Sequence, residues 1–283
     1  HGYWDVRKGG DRFPFSSRQL AFNKITFMLE HDANSTGVYY LRFVTEGSMN
    51  IQMQLWKLSD FIKHALNQQI IFGILFGMLF MLLIYALFVG IFLKNTLYLY
   101  FAMCIFASAT LLSILEGYTF QYLFPHHPNL SNISMPFVAS FLSFSITHFT
   151  RKFLKTKEKA PILHKILFVV ILSSFFTALL SLFDNYYLYS KFAIINGVVA
   201  AILVFYTVVI CRARGNVSAR FAVSGCYIYV IGLFLSALES FGIIESTLIT
   251  MHSLEISTLM QLILFSVSLN ENFSMHAQKS IKT

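Results

Sequence analysis

The stretch Ile70-Ile-Phe-Gly-Ile-Leu-Phe-Gly-Met-Leu-Phe-Met-Leu-Leu-Ile-Tyr-Ala-Leu-Phe-Val-Gly-Ile-Phe-Leu93 contains no charged residue. It is apolar all round, with no polar stripe to face water, and about 20 such residues suffice to cross a bilayer. Six further runs of the same character follow it: Leu97–Leu115, Ile133–Phe153, Ile162–Phe183, Phe192–Cys211, Phe221–Phe241 and Thr247–Leu269. The composition agrees, with 56% hydrophobic and 12% charged residues and a mean hydropathy of +0.64. Such a chain has too little polar surface to coat a water-soluble globule. The expected membrane region is an all-α bundle of seven transmembrane helices.

Basic residues give the expected topology, because short loops rich in Lys and Arg stay in the cytoplasm. One set of connections and the C-terminal tail carries Lys94, Arg151, Lys152, Lys155, Lys157, Lys159, Lys165, Arg212, Arg214, Arg220, Lys279 and Lys282. The alternate connections carry Lys191 alone. Twelve against one places the N-terminal segment outside and the C-terminus inside, and a span more or fewer would scatter the charge to both sides. The net charge of +8 is thereby assigned to topology and anionic membrane lipids, not to nucleic acid. Tyr118, Tyr122, Tyr186, Tyr187 and Tyr189 are expected to form an outer aromatic belt, and Tyr98 and Tyr100 an inner one. Cys104, Cys211 and Cys226 lie in or beside spans, far apart, and are expected to be packing residues without disulfides.

The first 66 residues read differently. In Leu20–Leu29, Val38–Val44 and Met49–Leu58 apolar and polar residues alternate, as in Tyr39, Leu41 and Phe43 against Tyr40 and Arg42. Period two predicts three strands of an antiparallel β-sandwich, with turn residues at Asp32–Gly37 and Thr45–Ser48. Three strands make too small a core alone, so further strands upstream are expected to complete it. Tyr3, Trp4 and Trp56 fit either the buried aromatics of such a sandwich or a sugar-stacking surface. The expected organisation is an outer segment over 1–66, a membrane domain over 67–273, and a cytoplasmic linker from 274 to 283.

Ionisable groups inside a membrane are functional candidates by default. Glu116, Glu239, His252 and Glu255 all fall in the outer half of the expected spans. His252 and Glu255 are three apart and share a helix face that Thr258 and Gln261 continue inward. Gly225, Gly232, Ser236 and Glu239 share a face of the preceding helix. Glu116, Glu239, His252, Glu255, Ser236 and Thr258 are therefore the expected lining of an outward-opening ligand pocket. The same groups are suited to hydrogen-bonding one another as helix-packing glue, or, for Glu116 and Glu239, to reaching water directly. His252 and Glu255 are too few for a zinc site, His126-His127 is a weak metal signal that reads as a solvated turn, and His148 reads as an inner-end residue that caps or snorkels. No metal, cofactor or catalytic residue is expected, since no nucleophile elbow, zinc-protease motif or phosphate loop is present. Gly73-x-x-x-Gly77 gives a faint signal for a homodimer. A transporter or channel is the alternative to a receptor, although no internal repeat is evident.

These features bring a family into view. Gly73, Gly77, Leu97–Tyr100, Phe149-Thr-Arg-Lys-Phe-Leu154 with Pro161, Gly215, Ala219-Arg220-Phe221 and Ser266-Val-Ser-Leu269 resemble the bacterial seven-transmembrane receptors with diverse intracellular signalling modules. The most specific stretch is Gly117-Tyr-Thr-Phe-Gln-Tyr-Leu-Phe-Pro125. Arg12-Phe-Pro-Phe-Ser16 and Leu55-Trp56 are similar to the end of the jelly-roll sensor domain often placed ahead of that membrane domain. Ala86, Cys226, Ser257 and Gln261 depart from the family pattern, so no ligand specificity is carried over. The resemblance implies a receptor in the bacterial inner membrane. It would pass an extracytoplasmic signal from an unknown ligand, a carbohydrate or another small molecule, to a cytoplasmic effector domain or protein.

Overall fold

The computed structural model describes residues 6–30, 37–44, 53–183, 186–215 and 219–282, and for residues 186, 187 and 275–282 the backbone only. Nine helices are described: α1 (Leu58–Phe92), α2 (Thr96–Leu115), α3 (Pro128–Phe153), α4 (Thr156–Lys159), α5 (Pro161–Leu180), α6 (Tyr186–Ala213), α7 (Ala219–Ser240), α8 (Leu248–Met251) and α9 (Ser253–Lys282). Seven of them, all but the single turns α4 and α8, are long and apolar enough to cross a membrane. The expected span count therefore holds. A helix is one of the few forms that satisfies all its own backbone groups without water, which is why these runs fold this way.

Two helices extend furthest beyond their expected runs. α1 begins at Leu58, twelve residues before the uncharged stretch, and its first turns carry Asp60, Lys63 and His64 beside the outer segment. α9 begins only at Ser253. The capping box between Thr247 and Thr250 starts α8, and His252 breaks the helical backbone between it and α9. From there α9 runs without interruption to Lys282, well past the end of its apolar span at Ser274.

α3 packs against α2, α5 and α6, and α9 packs against α7, α1 and α2. Phe149 of α3 anchors the centre, with ring centroids 5.4 Å from Phe101 on α2 and 5.9 Å from Phe265 on α9. Many hydroxyls in this packed region turn back onto their own helix, as Ser145 does to the Phe141 carbonyl and Thr150 to that of Ile146. Asn196 clasps α5 to α6 by donating to Thr177 Oγ1 and accepting from Ser173. Cys104, Cys211 and Cys226 are buried free thiols, as expected.

Two inner-end expectations change. Tyr98 is not part of an aromatic belt but is buried, and its hydroxyl donates to Asn270 Oδ1 at 2.5 Å. Tyr85 donates to the same oxygen at 2.9 Å, so α1 and α2 both grip the inner part of α9. His148 does not snorkel but packs between Tyr100 and Phe144. Gly73 and Gly77 face open space in a shallow groove of about 540 Å³ between α1 and α9, so neither tightens the bundle itself.

No strand is formed among the described residues of the outer segment. The stretches Leu20–Leu29 and Val38–Val44 and residues 53–57 carry no sheet ladder, and the rest of the third expected strand lies outside the described residues, as do Tyr3 and Trp4. Trp56 is 42% exposed and stacks on His64. The segment instead holds to the outer loop between α2 and α3. Phe15 donates its backbone N–H to the Pro125 carbonyl at 2.8 Å, and its ring meets Phe120 edge-on. Phe22 packs on Phe61 at the start of α1. Asn23 donates from its amide to the Glu116 carbonyl at 2.9 Å, and Lys24 pairs with the Glu116 carboxylate at 3.6 Å.

Two glycines set the close approaches. At Gly232 on α7 a Cβ would overlap the Ser257 side chain and stand 2.7 Å from the Ser253 carbonyl oxygen, so α7 and α9 touch backbone to side chain. Gly117 has φ +80°, and its Cβ would come within 2.6 Å of the Asn23 carbonyl oxygen. Gly232→Ala is expected to lower bundle stability by about 1–3 kcal/mol through overpacking; unfolding in detergent at parental stability would contradict this contact. Gly117→Ala should leave helix content unchanged by circular dichroism while the Phe15 amide loses its protection in hydrogen exchange. Unchanged protection there would show that the loop does not hold the outer segment.

Candidate functional site

The outer end of α9 opens on His252 and Glu255, both 5% exposed. The three-residue spacing puts them on one face, as expected, and that face meets the C-terminal end of α2 and one face of α1. Phe72 of α1 stands edge-on to the His252 ring at 5.0 Å and to Tyr118 at 5.2 Å. His64, Gln68 and Phe72 recur at four-residue intervals and so line one side of α1. His64 lies near enough to His252 to act on it electrostatically, which places Gln68, 3% exposed, between the two contacts.

Glu116, at the end of α2, is the pivot. Its side-chain carboxyl lies close enough to that of Glu255 to act on it electrostatically, and it pairs with Lys24 of the outer segment. Two carboxyl groups form a hydrogen bond only when a proton sits between them, and otherwise they need a cation such as Lys24 nearby. Tyr118 completes the wall. Burial, with help from Glu116 and Tyr122, pushes its hydroxyl up to about 12, so it stays a neutral donor. Gln68 Oε1 and Nε2, His252 Nδ1 and Glu255 Oε2 are buried with no hydrogen-bond partner among the described residues. A buried polar atom left unmet costs about 1–3 kcal/mol. Such atoms gather here from α1, from the turn before α9 and from α9 itself.

Three of the six expected site residues therefore come together: Glu116, His252 and Glu255. The other three do not join them. Glu239 accepts from the Ser246 hydroxyl at 2.6 Å in the turn after α7. Thr258 spends its hydroxyl on the Leu254 carbonyl of its own helix, and Ser236 is half-buried on α7 with no hydrogen bond to the cluster. The expected pocket between the polar faces of α7 and α9 is closed. Gly225 lies against the backbone of Gln261, Gly232 against Ser253 and Ser257, and the Gln261 amide reaches Cys226 Sγ at 3.9 Å. Those two faces read as polar because they are small enough to touch.

Sequence reasoning missed Lys24, His64, Gln68 and Tyr118. His64 and Gln68 precede the uncharged run, and their four-residue step with Phe72 is the signal that would have found them. Among the described residues no group of three or more His, Cys, Asp or Glu side chains is placed to hold a metal ion.

The membrane domain matches, over residues 68–272, the family model described as 7TM diverse intracellular signalling. Residues 1–57 match the model described as 7TMR-DISM extracellular 2. No curated protein and no solved structure matches the chain. The membrane match covers most of the sequence and takes in all or most of each of the seven spans, with α1 starting before it and α9 ending after it, and the outer match ends where α1 begins. The chain belongs to the family of seven-transmembrane proteins of diverse intracellular signalling, with that family's extracellular segment at its N-terminus.

Proposed function

We propose that the chain is a receptor of the bacterial inner membrane whose outer segment acts on α9 through the Lys24–Glu116–Glu255 contact. The observation that carries this reading is the position of Glu116. It meets the outer segment through Lys24 and Asn23 and acts electrostatically on Glu255 at the outer end of the helix that leaves the bundle. A shift of the outer segment would exchange the partners of Glu255, and the unmet polar atoms of Gln68 and His252 stand ready to take up the difference.

The N-terminal segment lies outside and the C-terminus in the cytoplasm in this reading, supported by the twelve basic residues of one loop set against Lys191 of the other. The basic loop from Arg151 to Lys165 then meets anionic lipid headgroups. α9 continues past its span toward a cytoplasmic effector domain or protein. The outer segment is read as part of the jelly-roll sensor that its resemblance at Arg12–Ser16 and Leu55-Trp56 implies, supported by the extracellular match. The membrane core moves and does not catalyse.

The test fuses a diguanylate cyclase domain in frame after Thr283 and measures cyclic dinucleotide in cells. Glu255→Gln and Lys24→Met should each change the basal output severalfold, whereas Glu239→Gln, outside the contact, should not. If Glu255→Gln and Lys24→Met both leave output at the parental level, the route through Glu116 is wrong.

A further inference from the structure

The outer segment holds a second feature that the transmission route does not use. A basin of about 340 Å³ is lined by Arg7, Lys8 and Arg18, with no acidic residue in its lining. Its volume falls in the range of small-molecule sites. Ile25 and Phe27 form an apolar wall, and Gly9 lets the backbone lie against the Phe27 ring, where a Cβ would be 2.9 Å from Cζ. The side opposite that wall is cationic.

The cations are differently held. Arg7 is fixed by donating to the Met28 carbonyl and to Gln19 Oε1. Lys8 is exposed and makes no ion pair among the described residues. Arg18 stacks over the rings of Phe15 and Phe120, and its Nη1 donates to the carbonyls of Phe22 and Asn23 at 2.8 and 3.0 Å. Its Nε is buried without a hydrogen-bond partner among the described residues. Burial lowers the tendency of this guanidinium to hold its charge, and the field of Asp11 is the one acidic influence opposing that. An anion in the basin would satisfy a group that the fold leaves partly unmet.

We propose that this basin binds a small organic carboxylate, its anionic group on Lys8 and Arg18 and its carbon body on Ile25 and Phe27. The proposal names the ligand class for the receptor reading and rests on it for its purpose. Arg18 connects the basin to the transmission route. The Asn23 carbonyl it holds is the same atom that lies against Gly117, and the Asn23 amide reaches Glu116. A ligand that draws on Arg18 therefore pulls at the joint.

Binding is measured directly, by calorimetric titration of the full chain in nanodiscs, with benzoate, its neutral counterpart benzamide, and inorganic phosphate. Benzoate should bind at least about tenfold more tightly than benzamide, because the charge is what the basin recognises, and more tightly than phosphate, because the apolar wall needs a carbon body. Lys8→Met, a change at an exposed position that leaves folding intact, should weaken benzoate severalfold and flatten its dependence on salt. Equal binding of benzoate and benzamide, tighter binding of phosphate, or unaltered benzoate affinity in Lys8→Met would each overturn the proposal. None of these results bears on the cyclase fusion, which reads the Glu116 route with no ligand added.

Discussion

The contact on which the rest depends is that of Asn23 and Lys24 with Glu116 and Gly117. It joins a polar segment to a membrane bundle at a place where the chain has few ways to do so. The Asn23 carbonyl needs a residue without a side chain beneath it, and the α2 helix needs a left-handed residue to turn out of the membrane. Gly117 meets both demands at once. The carboxylate one residue earlier pairs with Lys24 of the outer segment and acts electrostatically on Glu255 of α9. The stretch Gly117–Pro125 begins at this glycine, and its Phe120 and Pro125 are the groups on which Phe15 and Arg18 rest.

From that joint the bundle divides into a tight side and a loosely satisfied one. α7 and α9 approach through Gly225 and Gly232, with hydroxyls satisfied locally, and such packing resists sliding. The side of α9 that faces α1 and the end of α2 carries Glu255 and His252 among partly unmet groups at the outer end, and Asn270 between two tyrosines at the inner end. α9 thus has a firm back against α7 and a polar front with few alternatives. In the proposed transmission, motion at Glu255 is directed along α9 toward Asn270 and the part of the helix beyond it.

Much of the membrane fold was legible in the sequence because its driving force is local. Each apolar run must become a helix in lipid whatever its neighbours do, and the charge of the loops counts the runs again. The site was legible in part. An ionisable residue in an apolar run stands out, so Glu116, His252 and Glu255 were found. Which of them meet depends on packing between helices distant in sequence, and Glu239 fell away for that reason. Gly232 and Ser257 read as a polar face because small residues look alike whether they line a cavity or close one. Lys24 was invisible because an exposed lysine in a polar segment gives no sign of what it will touch. The expected strands rested on alternation alone, and the described residues of that region hold to the loop and α1 without a ladder.

The central claim is that the outer segment reaches the inner end of α9 through Glu116 and Glu255. A fluorine label on Ser274→Cys, at the end of the α9 span, reports on that inner end in a nanodisc by nuclear magnetic resonance. Lys24→Met and Glu255→Gln are each expected to move the label's resonance, and the double variant to move it no further than Glu255→Gln alone, since both act on one route. A resonance that responds to Glu255→Gln but not to Lys24→Met, or two shifts that simply add, would contradict the account.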